Sequence, residues 1–169
     1  FGDVPISNTL NQYLDRIRPQ YRIHISVSGT WSDDSHRTTA FNQLNEINVC
    51  KELAKTPIGA DQIWLDKVRL IEKNTWQVIR KEITHGEYFD GAVTYDIVDL
   101  IPNESTLFAG NSLSVRHLDQ FGKPAAKRIY TYANRGASGI DGNISTALGA
   151  GAARPDKPVV AVIGDVTFY

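Results

Sequence analysis

At 169 residues, 41% hydrophobic and 22% charged, the chain is long enough to bury a sizeable core and has the make-up of a soluble globular protein of one or two domains. A net charge of −1 excludes the basic footprint of a nucleic-acid binder. The single cysteine, Cys50, excludes an internal disulfide, suits a reducing, cytoplasmic setting and is expected in the core. No long apolar run and no charged-then-apolar leader occurs, so neither membrane insertion nor a signal peptide is expected.

The first 60 residues read as alternating helix and strand. Ser7 is placed to cap a helix through about Arg16, with Leu10, Tyr13, Leu14 and Ile17 at three-and-four spacing and Pro19 ending it. Arg22 to Ser28 alternates with period two, apolar at Ile23, Ile25 and Val27, which predicts a half-buried strand. Asp33, Asp34 and His36 resemble metal ligands in type, but no further ligand lies at a suitable spacing, so a solvated loop is expected there. From Asp61 to Ile83 the apolar residues Ile63, Trp64, Val68, Ile71, Trp76, Val78 and Ile79 among Lys, Arg and Glu predict one long helix. A domain boundary is placed near its end, dividing residues 1–84 from 85–169. A further helix, Asp90 to Leu100, should stop before Pro102, and Thr106 to Ala109 should be the first strand of the second domain.

That strand runs into Gly110-Asn111-Ser112-Leu113-Ser114-Val115-Arg116. A strand, then Gly, then Asn and Ser opening a helix offers free backbone N–H groups to an anion or carbonyl oxygen; simple capping is the other reading. Arg116, one turn in, is within reach of the same mouth, unless it is spent in a surface salt bridge. His117 is expected to face solvent. Arg135, after the strand Ile129 to Ala133, is a second cation at that sheet edge, and two arginines there favour a carboxylate-rich ligand. The loop from Asn134 to Gly142 has glycine at 136, 139 and 142. This matches neither G-x-G-x-x-G nor G-x-x-x-x-G-K-[ST], which disfavours a dinucleotide fingerprint and a P-loop. With so much glycine and no ligand, the loop is expected to be mobile. Asn143 to Ala153 reads as a buried helix, and Val159 to Ile163 as a strand covered on both faces that delivers Asp165 beyond its carboxyl end. There Asp165 suits a hard cation such as Mg²⁺, or equally the cap of a following turn.

The run YANRGASGIDGNISTALGAG, with GNSLSVR before it and VVAVIGDVTFY after it, closely resembles the thiamine-diphosphate enzymes of menaquinone and phylloquinone biosynthesis, the 2-succinyl-5-enolpyruvyl-6-hydroxy-3-cyclohexene-1-carboxylate (SEPHCHC) synthase family. The resemblance is firmest from Thr106 to Tyr169 and looser over the rest. It implies an α/β fold, a parallel sheet flanked by helices. Residues 1–84 would be the later part of a central Rossmann-like domain with its linker helix, and residues 85–169 the first half of the diphosphate-binding domain. The opening Phe1-Gly2 without methionine, and an end at Tyr169 just past a core strand, agree with a fragment, which is expected to be inactive alone.

The resemblance further implies thiamine diphosphate and Mg²⁺ as cofactors, 2-oxoglutarate and isochorismate as substrates, and at least a homodimer. Relatives decarboxylate 2-oxoglutarate and add the succinyl carbanion equivalent to isochorismate. Ile140 matches the apolar wedge beneath a bent cofactor, Ser138 and Gly139 the backbone against its pyrimidine ring, and Asp165 the first metal ligand. Gly164, Val166 and Thr167 match residues near the diphosphate, and Asn111, Ser112, Arg116 and Arg135 the substrate-facing set, with Ser112 also at the reacting end. Asn8 and Thr9 stand where the family has a basic pair, so no substrate role passes to them. Two other readings are an acetolactate-synthase type of carboligase and a non-catalytic Rossmann-like binding module.

Overall fold

The computed structural model describes residues 1–169 apart from Asp3, Asp34, Pro57, Ile58 and Ala60. Of the acidic cluster in the first loop, Asp34 therefore lies outside the described residues. The chain forms two compact units, Phe1–Leu70 and Ile71–Tyr169.

In the first unit, α1 (Asn8–Arg16) starts where Ser7 Oγ accepts the Leu10 N–H at 3.3 Å, the expected cap. Strands β1 (Ile23–Ile25) and β2 (Ala40–Asn42) pair in parallel, with Ile23 opposite Ala40. β1 is shorter than its alternation predicts. The Val27 N–H is taken at 2.8 Å by the Glu46 carboxylate, from the first turn of α2 (Glu46–Leu53). Cys50 lies on α2 and is exposed, not in the core, because that helix buries no residue. In the loop between the strands, Asp33 accepts from the Thr38 N–H at 2.7 Å and the Ser35 hydroxyl at 3.1 Å. Desolvation acts to raise its pKa, but hydrogen bonds from Thr38, Arg37 and Ser35 outweigh it and hold the carboxyl well below the usual carboxylate range. Asp33 thus organises its own loop, and among the described residues no cluster of three metal-ligating side chains occurs.

Helix α3 (Gln62–His85) opens with the Asp61 carboxylate accepting the Trp64 N–H at 3.0 Å. It carries Ile63, Trp64, Val68 and Val78 exposed and buries nothing. Among the described residues no helix is long and apolar enough to cross a membrane.

The second unit holds the core. α4 (Asp90–Leu100) packs on α5 (Leu113–Phe121), and the contact is close because Gly91 has no side chain. A Cβ there would fall 2.4 Å from the Phe89 ring and 2.5 Å from the Phe121 ring. Strand β3 (Ser105–Ala109) is buried along its whole length, between β4 (Ile129–Tyr132) and β5 (Val159–Val162), with all pairs parallel. Val98, Ile101 and Leu107 form the buried cluster, joined by Ile97, Leu118, Ile129, Val160 and Val162. On the other face of β5, α6 (Asn143–Ala152) comes so close that a Cβ on Gly151 would lie 2.8 Å from Val159 Cγ2. The architecture is therefore α/β, parallel strands flanked by helices, as expected.

Two expectations of burial do not hold. β5 is an edge strand whose Val159 and Ala161 are exposed, and α6 buries only Asn143 and Ala147. Between them runs an apolar groove of about 740 Å³ lined by Ile144, Leu148, Ala161 and Phe168 among others. An unbroken apolar run records that side chains are oily, not which of them neighbouring elements cover. The strand covered on both faces is β3, despite its opening Ser105-Thr106.

Candidate active site

The strand order β4-β3-β5 means that the chain leaves β3 toward one side and returns to the sheet on the other. Such a reversal opens a crevice beyond the carboxyl ends of the two strands, the usual ligand position in open parallel sheets. A cleft of about 670 Å³ lies there. The turn after β3 supplies Asn111 and Ser112, the turn after β5 supplies Gly164 to Thr167, and Ile140 enters from the glycine loop. Gly110 allows the two strand ends to meet, since a Cβ on it would stand 3.1 Å from Ile163 Cγ2 and 3.2 Å from Val162 O. Seven residues singled out in the sequence thus share one cleft: Asn111, Ser112, Ile140, Gly164, Asp165, Val166 and Thr167.

Asp165 opens α7 (Asp165–Phe168) and is exposed. Its Oδ1 accepts the N–H of the next residue, Val166, at 2.8 Å, so one oxygen is used within the first turn of α7, whose N-cap is Gly164. The other oxygen has no donor among the described residues. Ser112 caps nothing with its side chain; its backbone has φ 69° and ψ −124°, a positive-φ conformation that a serine adopts only under strain. Its carbonyl accepts Arg116 Nη1 at 2.7 Å; that side chain is exposed, makes no salt bridge among the described residues and does not itself line the cleft.

Arg135 Nη1 donates to Asn111 Oδ1 at 2.8 Å, and Asn111 Nδ2 donates to the Gly139 carbonyl at 2.6 Å. Ser138 Oγ donates to Arg135 O at 3.4 Å. Arg135, Ser138 and Gly139 therefore connect to the cleft through Asn111 although they do not line it. At the base of the loop, Asn134 Nδ2 donates to Asn143 Oδ1 at 3.2 Å and to Thr146 Oγ1 at 3.1 Å, and the Thr146 hydroxyl donates to Gly142 O at 2.9 Å. The loop thus has more restraints than its glycine content suggested. Asn8 and Thr9 lie exposed in the first turn of α1.

Among the lining residues that carried no signal of function in the sequence are Asp90, Val93 and Thr94 from the first turns of α4, and His117 from α5. His117 is half-buried with its ring 5.9 Å from that of Phe121, not turned to solvent as expected. The packing of α4 on α5 puts them there, and local sequence does not encode that packing.

A diphosphate-bearing cofactor with a hard cation fits these residues on two observations. Asp165 retains an uncommitted oxygen, the donor type that Mg²⁺ prefers. At Gly136 a Cβ would meet nothing within 4 Å, and at Gly139 only Asp141 N at 4.0 Å, both at backbone angles that other residues adopt. Packing within this chain therefore does not demand glycine at either place, whereas close approach of a ligand would. Gly142 is glycine for a different reason, its φ of +72° ahead of α6.

No protein-family model matches the chain. It is 50% identical over all 169 residues to a 2-succinyl-5-enolpyruvyl-6-hydroxy-3-cyclohexene-1-carboxylate synthase of Roseiflexus sp. (strain RS-1), and 48% identical to the protein of that name in Roseiflexus castenholzii; it covers 29% of each. A Bacillus cytotoxicus protein of the same name is 36% identical over 170 residues, and again 29% of it is covered. The chain spans less than a third of the length of the curated relatives it matches. Matched from first residue to last, these 169 residues belong to the SEPHCHC synthase family.

Proposed function

We propose that this chain is the part of a thiamine-diphosphate-dependent synthase that holds the diphosphate end of the cofactor, its Mg²⁺ and the carboxylates of the substrates. The whole enzyme decarboxylates 2-oxoglutarate and joins the remaining four-carbon unit to isochorismate, a step of menaquinone biosynthesis, and works as a cytoplasmic homo-oligomer. Residues 1–84 close its central domain and 85–169 open its diphosphate-binding domain. The single observation that carries this reading is the gathering of Ser112, Ile140 and Asp165 in one cleft at the point where the strand order reverses.

When bound, thiamine diphosphate supplies the electron sink for breaking and forming the carbon–carbon bonds. The chain's own residues bind and orient. Asp165 would hold the cation through its uncommitted oxygen, and the backbone of Gly164, Val166 and Thr167 would meet the diphosphate. Ile140 would offer the cofactor a branched apolar surface, and Ser138 and Gly139 would lie against its pyrimidine ring. Arg116 and Arg135 would grip substrate carboxylates through guanidinium N–H groups not already used within the chain, and the Ser112 hydroxyl would face them, with Asn111, whose amide is taken up by Arg135 and Gly139, behind that set.

A substrate panel on the full-length protein that carries this chain tests the proposal. With thiamine diphosphate and Mg²⁺, CO₂ release should require 2-oxoglutarate, and isochorismate should be consumed in equal amount. Turnover of pyruvate in place of 2-oxoglutarate would assign an acetolactate-synthase type of reaction. Turnover of neither, with the protein folded, would leave a binding module.

A further inference from the structure

Ile140 stands in the cleft with 39% of its surface exposed, so its own packing does not hold it there. The hydrogen bond from Asn111 to the residue before it is better placed to do so. Asn111 is 3% exposed at the end of β3, the most buried strand of the sheet, and its amide is committed at both ends, to Arg135 and to the Gly139 carbonyl. We propose that Asn111 is a positioning residue: its amide staples the Gly139–Ile140 peptide to the end of β3, and Arg135 fixes which way that amide faces. The inference rests on the reading of Ile140 as the cofactor's wedge.

The chemistry is one of donors and acceptors. A guanidinium only donates, so Arg135 draws Oδ1 of Asn111 toward itself and leaves the NH₂ group to face the Gly139 carbonyl. The reverse orientation would set donor against donor on one side and oxygen against oxygen on the other. Because the amide is buried, water does not replace a lost partner easily. Around the loop, the empty space beside Gly136 and Gly139 supplies no packing that would hold the peptide in the amide's stead. Bound in this way, Arg135 links two parts of the proposed site, since the cation offered to a substrate carboxylate also orients the group that holds Ile140.

Hydrogen exchange of the full-length protein, measured without cofactor over the segment 136–141, reads the staple directly. Asn111→Asp keeps an acceptor for Arg135 and loses the donor to Gly139, so loop exchange should rise about tenfold while β3 and α6 are unchanged. Thiamine-diphosphate affinity in the presence of Mg²⁺ should fall in parallel. Arg135→Met, which leaves Asn111 in place, should raise loop exchange in the same direction by a smaller factor, and it stands as the test if Asn111→Asp does not fold. Unchanged loop exchange in a folded variant of either kind overturns the proposal. A loop that responds as expected, in a protein whose unsubstituted form binds no thiamine diphosphate, upholds the staple and overturns the cofactor reading instead.

Discussion

Replacing Asp165 with alanine is expected to lower Mg²⁺-dependent thiamine-diphosphate binding by the full-length protein at least about a hundredfold, more than is commonly lost with a residue that only hydrogen-bonds to a metal ligand. The expectation follows from what the carboxylate does in this chain. One oxygen accepts a hydrogen bond from the next residue's N–H and the other has no partner among the described residues, in a side chain that is exposed. Its loss therefore removes a cation ligand and little else, and stability should change by no more than about 0.5 kcal/mol, the range of ordinary surface substitutions. Titration calorimetry with cofactor, with and without Mg²⁺, checks the first part, and thermal unfolding checks the second. A variant that binds cofactor normally would reduce Asp165 to the hydrogen bond within α7 that its Oδ1 already makes.

The second large effect is expected at Ile140. Ile140→Ala should lower kcat about a hundredfold, the order expected when a reacting group is misplaced by about 1 Å. Ile140→Leu, which keeps a branched apolar surface, should retain most of the activity. The side chain is 39% exposed, so truncation opens no closed cavity and its stability cost should stay below about 1 kcal/mol, well under that of a core Ile→Ala change. Steady-state kinetics of the two variants beside their unfolding curves separate a wedge from a packing residue. Equal loss of activity and of stability would favour packing.

What the sequence disclosed and what it did not divide along the range of the interactions. Helices α1, α3 and α4 were readable to within about two residues, because caps such as Ser7 and Asp61 and the apolar periodicity act over single turns. The gathering of Ser112, Ile140 and Asp165 was legible too, since each lies at a turn following a strand or within a glycine loop, and parallel sheets collect such turns at one edge. Burial was not. β5 reads as covered on both faces yet forms an edge, while β3, with a serine and a threonine, is the buried centre. Coverage is decided by elements far away in the chain. The contribution of Asp90, Thr94 and His117 to the cleft had the same origin, in the fit of Gly91 beneath Phe89 and Phe121. So did the bonds from Asn111 to Arg135 and Gly139, which join residues 24 and 28 positions apart.

The two halves of this picture support one another. Strand ends brought together at Gly110 place the Asp165 carboxylate beside a turn rich in hydrogen-bonding groups, and the loop tied at Asn134 and Asn111 brings an apolar residue to the same opening. Arg116 and Arg135 do not line it, but each is tied to a residue that does, through the Ser112 carbonyl and the Asn111 amide.

Whether the rim shared by Asp165 and Ile140 seats a metal-bound cofactor is read from a crystal structure of the full-length protein grown with thiamine diphosphate and Mn²⁺ in place of Mg²⁺. An anomalous peak beside the Asp165 carboxylate, with the cofactor lying over Ile140, is the expected result. A manganese peak and cofactor density elsewhere, with this cleft filled only by solvent, would contradict it.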